Sequence, residues 1–396
     1  MELGLARRME LLGTETAFEV LARAKALERQ GRHIVHLEVG EPDFDTPANI
    51  KDAAIKAMRD GYTHYTPTAG LWEAREAVAS YVARTRGIPV TPEEVVLTAG
   101  AKPVMFFAML LLVEPGDEVI VPDPGYPIYE SMARFAGGTV RPLALREEND
   151  FRADPAEFRA LLSPRTKLVV LNSPHNPCGS VLTRGDLTAM AEALAGSRAW
   201  VLSDEIYGRI LYEGEQVSIA SLPGMRERTI ILDGFSKTYA MTGWRLGYGV
   251  MPAPLAERMT QLATNATSCA AAFTQLAGAE ALGGSQESVE RMVAEFRGRR
   301  DLIVRGLNAI AGLSCRTPQG AFYVFPNCKK VDPDTARFAA FLLNEMGVAV
   351  LSGTAFGRNG AGYLRLSYAN SVPNLEEGLR RIAAGVAQHR AAAAKA

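Results

Sequence analysis

The sequence predicts an α/β protein: a large unit on a mostly parallel, seven-stranded sheet covered by helices, then a smaller α+β unit. Three observations carry that reading. Seven short β-branched runs recur, at 95–98, 118–121, 140–145, 168–172, 200–203, 229–232 and 245–250. Segments of helical spacing at 102–113, 129–136, 155–162 and 184–195 separate most of them, an alternation typical of parallel strands with helical crossovers. After a long helical pattern at 286–310, the strand-like runs 322–325, 348–351 and 363–367 read as the smaller unit. The boundary is expected inside the long helix, which gives a large domain over 48–293 and a small one over 294–396.

The remaining elements follow in chain order. Residues 14–30 have helical spacing with apolar Phe18, Val20, Leu21 and Leu27, and Gly31 closes the helix. A strand-like run at 33–39 leads into the loop Gly40-Glu-Pro-Asp-Phe-Asp-Thr-Pro47. Thr46 is expected as the cap, with Pro47 in the first turn, of a helix over 48–59 that ends at Gly61. The run 104–113 is apolar throughout and reads as a helix buried on all sides.

Composition narrows the function. The chain has 396 residues, 47% hydrophobic and 22% charged, ample for two domains of a globular enzyme. A net charge of −1 argues against nucleic acid and anionic membranes as partners. The run 104–113 is too short to span a bilayer, and no apolar signal core follows the charges of residues 1–8. Cys178, Cys269, Cys315 and Cys328 form no C-x-x-C pair and no zinc spacing. They read as reduced thiols of a cytoplasmic protein, and no metal site is expected.

The chemistry concentrates in Asp233-Gly-Phe-Ser-Lys-Thr-Tyr-Ala-Met-Thr-Gly-Trp-Arg-Leu-Gly-Tyr-Gly249. A lysine in an apolar setting loses pKa and becomes an amine able to form a Schiff base with a carbonyl. Lys237 is placed for that role, and Ser236 and Arg245 suit a phosphate. An aldehyde and a phosphate together describe a seat for pyridoxal 5′-phosphate. This stretch resembles the lysine motif of the aspartate aminotransferase family, the fold-type I pyridoxal-phosphate enzymes.

In open α/β sheets ligands sit beyond the carboxyl ends of the strands, so the residues just after each run matter most. Asp204, in Asp204-Glu-Ile-Tyr207, reads either as a helix N-cap or as the partner of a protonated ring nitrogen that makes the cofactor an electron sink. Tyr207 can donate to the ring's phenolic oxygen. Asn172-Ser-Pro-His-Asn-Pro-Cys-Gly179 is a proline-fixed loop. It is similar to the family's Asn-Pro-Thr-Gly loop, which implies that Asn176 bonds the phenolic oxygen; Cys178 stands where threonine is usual. His175 reads as a structural hydrogen bonder. Gly100, Ala101 and Lys102 open a helix after a strand, an anion site suited to a phosphate. Tyr126 either stacks on the pyridine ring or belongs to the core.

The resemblance runs from about residue 14 to the C-terminus and implies further roles. Tyr65 matches a tyrosine that reaches the phosphate of the partner subunit in a homodimer. Gly40 matches a position where the substrate carboxylate approaches the backbone. Arg365, an arginine in the apolar pattern Leu364-Arg-Leu-Ser367, needs a negative partner. That partner is either an internal carboxylate or, as the family implies, the substrate α-carboxylate. The N-terminal segment 1–47 is implied to pack with the small domain. The activity implied is transamination between an L-amino acid, with glutamate or aspartate as one partner, and a 2-oxo acid, through a Schiff base on Lys237. A lyase, cyclase or oxidase acting at Cα is the alternative on the same scaffold. A ligand-sensing regulatory domain is the remote one, and the near-neutral charge argues against it.

Overall fold

The computed structural model describes residues 4–393. A short 3-10 turn, Arg7–Leu11, precedes helix α1 (Thr16–Arg29) and strand β1 (Val35–His36). Two helices follow, α2 (Ala48–Arg59) and α3 (Trp72–Arg86). Then come β2 (Val95–Thr98), α4 (Lys102–Leu112), β3 (Glu118–Asp123), α5 (Pro127–Phe135) and β4 (Thr139–Ala144). The alternation continues with α6 (Pro155–Leu161), β5 (Thr166–Asn172), α7 (Arg184–Leu194), β6 (Trp200–Asp204), β7 (Thr229–Gly234) and β8 (Gly247–Val250).

These seven strands, β2 to β8, form one sheet in the order β2-β8-β7-β6-β5-β3-β4. Only β8 runs against its neighbours, pairing antiparallel with both β2 and β7. Strands β2, β3 and β7 are buried along their whole length, as expected for a sheet covered on both faces. Helix starts are capped locally: Asp154 accepts from the second and third N–H groups of α6, and Thr183 with Asp186 forms a capping box on α7.

The chain continues through α8 (Ala253–Ala266), α9 (Ala272–Gly283), the long α10 (Glu287–Asn308), β9 (Tyr323–Val324) and α11 (Thr335–Asn344). Strands β10 (Val348–Ala349), β11 (Leu351–Ser352) and β12 (Leu364–Ser367) and helix α12 (Val372–Ala393) complete it. A second, three-stranded sheet has the order β11-β12-β9, and β10 pairs in parallel with β1. The N-terminal segment therefore touches both parts. Helix α1 packs on β10 and β11, whereas the Arg7–Leu11 turn packs on α5 and the Gly13 N–H donates to Ser131 Oγ at 2.8 Å.

Three local expectations are corrected. Thr46 does not cap α2. Pro47 holds the cap position without a side-chain bond, and the Thr46 hydroxyl instead donates to the Ala240 carbonyl and accepts from Trp244 Nε1. That ties the Gly40–Pro47 loop to the loop carrying Lys237. The last strand begins at Gly247, not at 245, because Arg245 is left-handed, with φ 52°, and ends a 3-10 turn. Helix α4 is not buried all round: Leu110 is exposed while Val104, Met105, Ala108 and Met109 are enclosed.

Candidate active site

Strands β2, β3, β5, β6 and β7 all end at one edge of the sheet. Because β8 runs the other way, it starts at that edge, with Gly247 opposite both Thr98 and Gly234. Arg245, just before β8, is thereby brought beside the residues that follow the other strands. A cavity of about 430 Å³ lies there. Of the residues singled out from the sequence, Gly40, Ala101, Lys102, Tyr126, Asn176 and Asp204 line it. So do Tyr207, Ser236, Lys237, Arg245 and Arg365. Gly100 and Tyr65 do not, and Tyr65 is 90% exposed.

Lys237 is half-buried, and its ammonium donates to the Gly40 carbonyl at 2.7 Å. Burial pushes it down to about 8; Glu41 opposes that shift and Arg365 adds to it. No carboxylate forms an ion pair with it among the described residues.

Asp204 ends β6 and is buried. Burial pushes its carboxyl up to about 6, even though Tyr129 donates to Oδ2 at 2.5 Å and the Ile206 N–H to Oδ1 at 3.2 Å. The helix-cap alternative fails, because a turn rather than a helix follows Asp204. Tyr207 and Tyr323 share a hydroxyl–hydroxyl bond of 2.9 Å, and burial raises both phenols. A Cβ at position 40 would overlap the Tyr323 hydroxyl, so only glycine admits this approach.

Arg365 lies in β12, fully enclosed. Its Nη2 donates to the Glu38 carbonyl oxygen, and its Nη1 reaches Asn176 Oδ1 at 3.5 Å. The guanidinium carbon sits 4.6 Å from the Tyr323 ring centre and 5.1 Å from that of Phe356. Its Nε has no partner, and no carboxylate pairs with it among the described residues. The internal salt bridge offered as an alternative is therefore absent, and a buried cation faces the cavity unneutralised.

The turn into α4 can receive an anion. Gly100, with φ 87°, brings the chain into α4. A Cβ there would overlap the Arg245 guanidinium. Arg245 thus lies against the turn into α4, and Ser236 lines the same cavity.

The sequence profile described as aminotransferase class I and II matches residues 32–382. The chain belongs to the class I and II aminotransferase family. It is 42% identical over 385 residues to an aspartate/prephenate aminotransferase of Thermus thermophilus, covering 96% of this chain and 98% of that one. It is 41% identical over 367 residues to an arginine–pyruvate transaminase of Pseudomonas aeruginosa, covering 93% of each chain. The solved structure of aspartate aminotransferase from Thermus thermophilus with maleate superposes with a TM-score of 0.93 at 41% identity, over 96% of this chain and 99% of that one.

The protein is thus an enzyme that transfers amino groups, and its fold is that of its structural neighbours. Several residues of the aminotransferase's cavity escape sequence reading. Tyr129 and Tyr323 act through buried hydroxyls, which no local pattern announces. Glu15, at the N-cap position of α1, accepts from Tyr126 OH at 2.8 Å and pairs with Lys102. Glu41 accepts from the Thr242 hydroxyl. His175 is corrected: neither ring nitrogen has a partner, and burial lowers it to about 3, so it is a neutral, enclosed ring. No helix among the described residues is long and apolar enough to cross a membrane.

Proposed function

We propose that the aminotransferase uses pyridoxal 5′-phosphate attached at Lys237 to exchange an L-amino acid and a 2-oxo acid. The carrying observation is that Lys237 and Arg365 face one cavity and neither is paired with a carboxylate of the chain among the described residues. The donor set fits the group: an amine for its aldehyde, a buried carboxyl for its ring nitrogen, and Ser236, Arg245 and the start of α4 for its phosphate.

When bound, pyridoxal 5′-phosphate supplies an aldehyde for an amine and a ring that withdraws electrons from Cα. Asp204 would hold a proton at the ring nitrogen, with Tyr129 fixing the carboxylate. Tyr207 and Asn176 would bond the phenolic oxygen, and Tyr126 would stack on the ring. Arg365 would grip the α-carboxylate, with Gly40 leaving room for it. Lys237 moves the proton at Cα: a value near 8 leaves part of the amine free at neutral pH, as a general base requires.

Of the two expected partners, glutamate or aspartate, the names of the relatives support aspartate. The confinement of the seven-stranded sheet to β2–β8, with β9–β12 in separate smaller sheets, supports a large domain over 48–293 and a small one over 294–396. Borohydride reduction of the yellow protein, followed by peptide mapping, tests the reading. The cofactor is expected on Lys237, and a label on another lysine, or none, ends it.

A further inference from the structure

The cavity's outer wall holds a carboxylate that the chain supplies itself. Lys102 opens α4 and Tyr126 follows β3, and both line the cavity. The Lys102 ammonium pairs with Glu15 Oε1, and the Tyr126 hydroxyl donates to the same oxygen at 2.8 Å. The ammonium also lies 5.8 Å from the centre of the Tyr126 ring. Two donors from the sheet edge thus converge on one carboxylate oxygen carried by the N-terminal segment. Glu15 has the ordinary alternative use of its position, yet its side chain makes no cap bond to α1. Its carboxylate serves Lys102 and Tyr126 instead.

A cation and a hydroxyl on one oxygen is also how the wall would receive the distal carboxylate of a substrate. Resting on the reading of this cavity as an amino-acid site, we infer that Glu15 is an exchangeable internal carboxylate that sets which side chains the enzyme accepts. With an uncharged side chain, Glu15 stays and neutralises Lys102. With a dicarboxylic amino acid or 2-oxo acid, two carboxylates would converge on one ammonium, so Glu15 is displaced and the substrate takes its place. Lys102 is 50% and Glu15 17% exposed, so water reaches the pair from the lysine side, and the segment preceding Glu15 is exposed, which leaves the carboxylate a route to solvent. Transamination passes two different substrates through one cavity in succession. A removable counter-charge lets the same wall meet both.

The experiment uses the cofactor-loaded enzyme, unaltered and as Glu15→Gln and Glu15→Ala. Half-reactions with aspartate, glutamate, leucine, lysine and arginine are followed by loss of the cofactor absorbance. Calorimetry measures the binding of unreactive succinate and butyrate. Both variants are expected to raise the efficiency ratio of dicarboxylic over uncharged donors about three- to fivefold, the range of a partly exposed ion pair. The gain should lie in KM rather than kcat, and succinate should tighten by the same factor while butyrate does not. An unchanged ratio, or an equal loss for every donor, overturns the inference and leaves Glu15 as an anchor of the N-terminal segment. A loss confined to lysine and arginine also overturns it, because Glu15 would then hold a cationic side chain directly. If no amino acid alters the absorbance of the unaltered enzyme, the amino-acid reading fails and the inference falls with it. The other outcomes strike the inference alone.

Discussion

Arg86 Nη2 donates to Asp233 Oδ2 at 2.8 Å, although the two residues lie 147 positions apart and neither side chain reaches solvent appreciably. The same guanidinium donates through Nε to Glu205 at 2.8 Å. Glu205 follows Asp204, and Asp233 precedes Lys237 by four positions on the next strand. One arginine at the end of α3 therefore ties together the two strand ends that carry the candidate acid and amine. Ser203 and Ser218 hold the other oxygen of Glu205, and Tyr248 and the Gly234 N–H complete Asp233.

Arg86→Met should leave two buried carboxylates without their cation, a loss of about 3–5 kcal/mol. Burial already pushes Asp233 up to about 6 against the pull of Arg86. Without the arginine the Asp233 carboxyl rises further, the folded chain holds more protons than the unfolded one, and stability falls as pH increases. The variant's thermal midpoint should therefore drop more steeply from pH 6 to pH 8 than that of the unaltered chain. Parallel midpoint curves would show that the carboxylates find other partners.

A second prediction concerns Asp204. Between its ordinary 3.8 and about 6 the folded, unliganded chain keeps a proton that the unfolded chain has released. Stability falls as pH rises through that window, and above it the penalty is on the order of 3 kcal/mol. Asparagine carries no such penalty, and its amide can donate to Tyr129, whose hydroxyl also accepts. Unliganded Asp204→Asn should thus have the higher thermal midpoint at pH 7.5, with the advantage disappearing below about pH 4. Added pyridoxal 5′-phosphate should raise the midpoint of the unaltered chain more than that of the variant. Equal stabilisation of both would remove Asp204 from the ring nitrogen.

The sequence makes the sheet legible because each strand is a compact β-branched run, such as Trp200–Asp204, bounded by a turn. The cavity is legible for a related reason. Its chemistry sits immediately after those runs, at Asp204, Asn176, Tyr126 and Lys237. What stays hidden depends on contacts across long stretches of chain. Tyr323 meets Tyr207 across 116 positions, and Glu15 meets Tyr126 across 111. Arg86 looks like an ordinary basic residue at a helix end, a common surface feature. Its partners appear only when α3 is laid against the sheet. Thr46 shows the converse: its local signal is a cap, but a tertiary acceptor at Ala240 takes the hydroxyl.

The last prediction concerns assembly. Tyr65 is 90% exposed and lies outside its own chain's cavity, so it contributes nothing to that site. Ile55, Met58, Tyr62 and Trp72, near it in sequence, are also large apolar residues exposed on the chain. Such exposure fits a surface that a second copy covers. In a twofold dimer each chain can lend Tyr65 to the other's phosphate site. Tyr65→Phe and Lys237→Ala should then be impaired singly, yet partly active when the two chains are co-expressed. In the mixed dimer, one site joins the intact Lys237 of one chain to the intact Tyr65 of the other. Random pairing makes half of the dimers mixed, each with one intact site of two, so roughly a quarter of full activity should return. Activity no greater than the sum of the separate variants would place Tyr65 outside any site. A fully active monomer in sedimentation would rule out the exchange.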